Sequence, residues 1–143
     1  MNTNLIFLTI LFIFSPLTSA SNNYGALTVT EIISVYDGDT FRANLRATHP
    51  IISENISIRV SGIDTPEIRG KCDKEKKLAQ LAKQFTKSFL LSGNTIELRN
   101  IKRGKYFRIV ADVYVDGISL TNELIKAKLG YPYEGGTKVS WCN

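Results

Sequence analysis

Polar and apolar side chains alternate cleanly in two short stretches of the chain. In the first, Phe41, Ala43 and Leu45 interleave with Thr40, Arg42 and Asn44. In the second, Ile56, Ile58 and Val60 interleave with Ser57, Arg59 and Ser61. A period of two is that of a strand with one buried face. Residues 26–36, rich in Val, Thr and Ile, read as a strand ahead of them, and Asp37-Gly38 reads as the tight turn between. Residues 46–55 contain His49-Pro50 and read as a long loop. After Glu67 the period changes. A charged run over residues 71–77 leads into Leu78, Leu81, Ala82, Phe85 and Phe89, which share one face of a helix; Lys76, Lys83 and Lys87 lie on the other. Gly93-Asn94 ends it. Residues 95–101 and 108–115 read as two more strands, joined by a basic turn over residues 102–105. Asp116-Gly117 is a turn. Ser119 caps a second helix over residues 120–128, with Gly130 as its stop, and residues 131–143 read as loop.

The order is three strands, a helix, two strands, a helix. This is the element order of an OB-fold: a five-stranded barrel with two helices, mainly β with helices (α+β). That fold binds oligonucleotides and oligosaccharides. Periodicity gives the order and not the closure of the barrel. No internal repeat or low-complexity segment interrupts it.

Residues 1–20 carry no charged side chain, and residues 5–14 are apolar except for Thr9. Ser15-Pro16 breaks that run, and Thr18-Ser19-Ala20 approximates an A-x-A cleavage site. The segment reads as a secretory signal peptide, with an uncleaved anchor as the alternative. Residues 21–25 then form a flexible leader, and residues 26–143 one domain. Export places the product in the periplasm or the medium, with no stable membrane association once the signal is cleaved, and a monomer is expected. The 143-residue chain has 18 Lys and Arg against 13 Asp and Glu, a net charge of +5, which favours an anionic partner. It has two cysteines, Cys72 and Cys142. In an oxidising compartment one disulfide is the default, closing a loop of about 70 residues and contributing about 4 kcal/mol in the chain-entropy picture.

The candidate chemistry sits at the end of the third strand. Arg59 points away from the apolar face, and Asp64-Thr65-Pro66-Glu67 follows on a stiff loop. Two acids beside an outward Arg suggest a bound cation and an anionic substrate; a surface turn with one salt bridge is the plainer reading. Asp39 shares the parity of Phe41, which aims it inward at the mouth of the sheet. Asp37 and Asp39 read as turn residues when taken alone. The lysine stripe reads as a solvated helix face and His49 as an exposed loop residue.

Three separated clusters, Asp37-Gly38-Asp39-Thr40, Arg59 with Asp64-Thr65-Pro66-Glu67, and Lys105-Tyr106-Phe107-Arg108, together resemble the motifs of the staphylococcal nuclease (thermonuclease) family. The resemblance covers residues 26 to about 130. It implies an OB barrel and calcium-dependent hydrolysis of DNA and RNA, leaving 3′-phosphate ends. It implies that Asp39 and Asp64 ligate Ca²⁺ through carboxylate oxygens and Thr65 through its carbonyl. Glu67 would position or deprotonate the attacking water, and Arg59 and Arg108 would grip the scissile phosphate. Lys105 and Tyr106 would contact a neighbouring phosphate; a basic turn is their plainer reading. Tyr131 and Tyr133 fall near the family's base-stacking aromatics. Phe107 stands where the staphylococcal enzyme has Gly, and that enzyme's third helix has no counterpart, so the expected Cys72–Cys142 bridge would pin the tail instead. The rival to a nuclease is a catalytically inactive module of the same fold that holds nucleic acid or a protein tail. An oligosaccharide-binding barrel leaves the acids and arginines unexplained.

Overall fold

A computed structural model describes residues 23–143. The expected signal peptide lies outside the described residues. The long strands are β1 (Leu27–Val35), β2 (Thr40–Leu45), β3 (Ile56–Val60), β5 (Ile96–Arg103) and β6 (Ile109–Val115). Two-residue strands β4 (Ile63–Asp64), β7 (Ile118–Ser119) and β8 (Tyr131–Pro132) join them, with helices α1 (Asp73–Ser92) and α2 (Leu120–Lys126). The main sheet runs β3-β2-β1-β5-β6-β7, and a parallel pairing of β3 with β6 closes it into a five-stranded barrel. Closure removes the free edges that five short strands would otherwise present. The chain is mainly β with helices, an OB-fold.

The two alternating stretches form β2 and β3 over the expected residues. Phe41, Ala43, Ile58 and Val60 line the core and are almost wholly buried. Their partners Arg42 and Ser57 pair across the outer face. In β1 the alternation is broken by register shifts between Val29 and Glu31 and between Ile32 and Ser34. Ahead of β1, the Tyr24 N–H donates to the Ile101 carbonyl and the Ile101 N–H to that of Gly25, which aligns residues 24 and 25 with β5. The 46–55 loop contains one 3-10 turn, Pro50–Ile52, capped by His49, whose Nδ1 accepts the Ile51 N–H at 3.2 Å.

Three local expectations are corrected. The buried face of α1 is Glu75, Ala79, Ala82, Thr86 and Leu90, whereas Leu81 is exposed and Leu78, Phe85 and Phe89 are half-buried. The stop of α2 is Lys128 and not Gly130. Lys128 takes the left-handed conformation (φ 58), and the N–H groups of Lys128 and Leu129 return to the carbonyls of Ile125 and Leu124. The tail is not all loop: β8 pairs with β4, matching Ile63 with Pro132 and Asp64 with Tyr131. Gly130 serves that contact, because a Cβ there would lie 2.4 Å from Ile63 Cδ1. Beyond β8, Cys72 and Cys142 are joined across a separation of 70 residues, and Trp141 is buried against the Tyr131 ring at 4.3 Å. Among the described residues no helix is long and apolar enough to cross a membrane.

Candidate active site

The β1–β2 turn carries the first acids. Gly38 lets it pass close to its neighbours, since a Cβ there would sit 2.8 Å from Ala82 Cβ and 2.9 Å from Thr65 Cβ. Thr86 of α1 donates its hydroxyl to the Gly38 carbonyl at 2.6 Å. This explains a buried Thr on the helix face: it holds the turn down. Asp37 Oδ1 accepts the Asp39 N–H at 3.2 Å. Asp39 is turned inward, as the parity of β2 requires, and is 1% exposed.

Four donors converge on Asp39. Its Oδ2 accepts the Thr65 N–H (3.1 Å) and hydroxyl (2.9 Å), and its Oδ1 accepts the Thr40 hydroxyl (3.0 Å) and Arg59 Nη1. Arg59 Nη2 donates to the Ile63 carbonyl at 3.2 Å and lies 3.8 Å from Asp64 Oδ1. One guanidinium thus ties the two acids and the strand between them, which a flexible ammonium could not do. Burial raises the Asp39 carboxyl above its ordinary range, against the opposing charge of Arg59 and the bonds from Thr65 and Thr40. Asp37 is pushed up to about 7, by burial first and by the neighbouring Asp39 second.

Asp64 Oδ1 is buried and makes no hydrogen bond of regular geometry. Its nearest cation is Lys138 Nζ at 2.7 Å, and the same ammonium donates to Glu67 Oε1 at 2.9 Å. Desolvation alone would lower Lys138, but its close contacts with the charged Asp64 and Glu67 outweigh it, so its pKa is pushed up to about 12. The Glu67 side chain is 46% exposed, at the rim. Its loop wraps around another buried acid, Glu75. Glu75 accepts the N–H groups of Lys71 (2.8 Å) and Glu67 (3.4 Å), and a Cβ on Gly70 would lie 2.4 Å from Glu75 Cδ. A cavity of about 340 Å³ opens here, lined by Asp64, Glu67, Arg69, Lys71, Glu75 and Lys138.

Arg59, Asp39, Asp64 and Thr65 are therefore together, with Glu67 at their rim. Arg108 immediately precedes β6, and the parallel pairing of Ile58 with Ile109 and Arg59 with Val110 sets its backbone beside Ser57, two residues along β3 from Arg59. Its side chain lines a second depression of about 330 Å³ with Tyr24, Ile52, Ile101 and Phe107. Its Nε is buried without a partner. Lys105 and Tyr106 are exposed on the same hairpin, Tyr106 almost completely. Tyr106 and Phe107 both take the left-handed conformation (φ 55 and 62), a strain that a Gly at position 107 would avoid.

Residues 57–137 match the sequence profile of the family described as staphylococcal nuclease homologue. That is more than half of the chain. The chain belongs to this family. Members are generally nucleases, typically metal-dependent, and the domain implies nucleic-acid binding. No curated protein matches the chain. The family match excludes Asp39, which joins the site through the barrel itself, and it stops one residue before Lys138.

The acid end fits a divalent cation. Buried carboxylate oxygens, one without a hydrogen bond, are hard donors of the kind that Ca²⁺ and Mg²⁺ take. An ammonium already lies against Asp64 and Glu67. Asp64 and Asp39 would hold the ion. Cys72, Glu75 and Cys142 also cluster, but the two sulfurs are bonded to each other and offer no thiolate.

Sequence reasoning missed Lys138 and Glu75. Lys138 was within reach: the expected disulfide brings the tail to the loop after Glu67, and Lys138 is the only cation after Lys128. Glu75 carried no signal, because helix periodicity reads a Glu as outward.

Proposed function

We propose that the protein is an exported, calcium-dependent endonuclease that hydrolyses DNA and RNA and leaves 3′-phosphate ends. The observation that carries this reading is the pair of buried acids, Asp39 and Asp64, tied by the Arg59 guanidinium with Glu67 at the open rim. An ion at the acids would neutralise phosphate charge and favour ionisation of water. Arg59 offers the scissile phosphate the N–H groups that Asp39 and the Ile63 carbonyl leave free, Arg108 grips it from the other side, and together they hold the charge that builds as the fifth oxygen adds. Glu67 takes the proton from the attacking water. The P–O5′ bond then breaks, and O5′ takes a proton from solvent to depart as a 5′-hydroxyl. Residues 1–20 direct export, and the product acts as a monomer in the periplasm or the medium.

The position of Arg108 favours one rival, a module of this fold that binds nucleic acid without cutting it. Digestion of plasmid DNA and of RNA with Ca²⁺, with Mg²⁺ and with chelator separates the two. Cleavage should need the ion and fall by roughly 10²–10⁴-fold in Glu67→Gln. Cleavage that persists in chelator and in Glu67→Gln rejects the mechanism. Retarded DNA with no cleavage in any ion supports the binding module.

A further inference from the structure

The acidic cluster already contains a cation of the chain's own. Lys138 Nζ is 2.7 Å from Asp64 Oδ1, a proposed ion ligand, and 2.9 Å from Glu67 Oε1, the proposed base. The fold delivers this contact from both sides. On one side β8 pairs with Asp64, and the Tyr133 N–H donates to the Gly62 carbonyl at 3.0 Å. On the other side Trp141 is buried and Cys142 is bonded to Cys72. Between these anchors the chain crosses the mouth of the site as a strap. Gly135 and Gly136 both take positive φ (107 and 89), a path that few other residues would follow. The Lys138 side chain is 43% exposed, so it can leave the acids without unfolding the strap.

We propose that Lys138 is a tethered counter-ion of the acidic site, which a divalent cation must displace from Asp64 in order to bind. The proposal rests on the ion-site reading above. An ammonium satisfies Asp64 with a single charge. A divalent ion brings twice the charge and takes several oxygens at once, so it can displace the ammonium. A monovalent ion brings no more charge than the lysine it would replace. Lys138 thereby selects for divalent ions and lowers their apparent affinity by the fraction of time it occupies the acids. The disulfide holds the strap's far end and keeps the local concentration of the ammonium high.

Calorimetric titration of the disulfide-bonded protein with CaCl₂ at low ionic strength tests this. Lys138→Gln should tighten Ca²⁺ binding about tenfold, within the usual range of coupling between sites. Lys138→Arg should stay close to the unsubstituted protein. Lys126→Gln removes an equal charge from α2, where Lys126 faces Glu123, and should change affinity less than about twofold. The Cys72→Ser/Cys142→Ser pair should tighten binding by less than Lys138→Gln does. Melting in chelator gives a second readout: Lys138→Gln should melt lower, because Asp64 is left buried without its nearest cation, and Ca²⁺ should recover the loss. If Asp64→Asn abolishes binding while Lys138→Gln binds and melts like the unsubstituted protein, the counter-ion role is wrong and the ion site stands. If neither the unsubstituted protein nor Lys138→Gln binds Ca²⁺, both readings fall.

Discussion

The end of the barrel around Asp39 and the hairpin around Arg108 carry opposite charges and are held in opposite ways. Asp39 is buried, and four side-chain or backbone donors fix its two oxygens. The turn that bears it is clamped by Thr86. The hairpin from Lys105 to Arg108 is closed by the Arg108 N–H to the Lys105 carbonyl and the Gly104 N–H to the Arg108 carbonyl. Its tip residues stand in solvent with left-handed backbones, and the Arg108 Nε has no partner. The difference teaches where preorganisation is needed. Buried carboxylates would repel one another unless every donor were set in advance. In the proposed reaction Arg108 gains its partner only when the substrate arrives, so its side chain can rest elsewhere until then.

Breaking this contrast starts with the tail, because the acid end borrows rigidity from it. The double substitution Cys72→Ser/Cys142→Ser should lower unfolding free energy by about 4 kcal/mol, measured in urea. A loss under about 1 kcal/mol would mean that β8 and Trp141 hold the tail unaided. Arg108→Ala comes next. Cleavage should fall about 10²-fold or more, with a melting temperature no lower than before, since the buried Nε has no hydrogen bond to lose. Unchanged cleavage would confine the chemistry to the acid end.

Asp37 sharpens the acid side through pH. Its folded pKa of about 7 lies above the ordinary 3.8, so the folded state holds its proton over that interval and the unfolded state does not. Stability should therefore fall as pH rises from about 4 to about 7 in chelator. Asp37→Asn should remove that part of the slope and gain on the order of 4 kcal/mol at pH 8, with no gain at pH 3. A slope that survives the substitution belongs to other groups. The smallest effect is expected from Phe107→Gly, which should add about 1 kcal/mol by relieving the left-handed backbone. A net loss instead would show that the packing of Arg103 over the Phe107 ring outweighs the strain.

The barrel was legible where one physical demand fixed each residue. In β2 and β3 the apolar face is the core and the polar face is the outside, and the alternation says so. It failed where a residue served two demands. Thr86 and Glu75 face inward because the loops of the acidic site need a donor and an acceptor there, and helix periodicity has no means of seeing that. Gly130 looked like a helix stop, but its lack of a side chain serves Ile63, and Lys128 takes the strained conformation instead. For the candidate site, the turn acids, Arg59 and the Asp64–Glu67 loop could be placed on one end of the sheet from parity and turn signals. The side-chain direction of Arg108 could not, because it precedes β6 and lies outside any alternating run.

The pairing of Asp64 with Tyr131 also orders events during synthesis. The ribosome releases the proposed ion ligand well before the strand that braces it, and Cys142 emerges 70 residues after Cys72. A chain cut short after α2 would carry the acids but lack β8, the lysine strap and the bridge. The acidic end is therefore completed only when residues 131–142 emerge, and a chain that stops short of them cannot present it in final form.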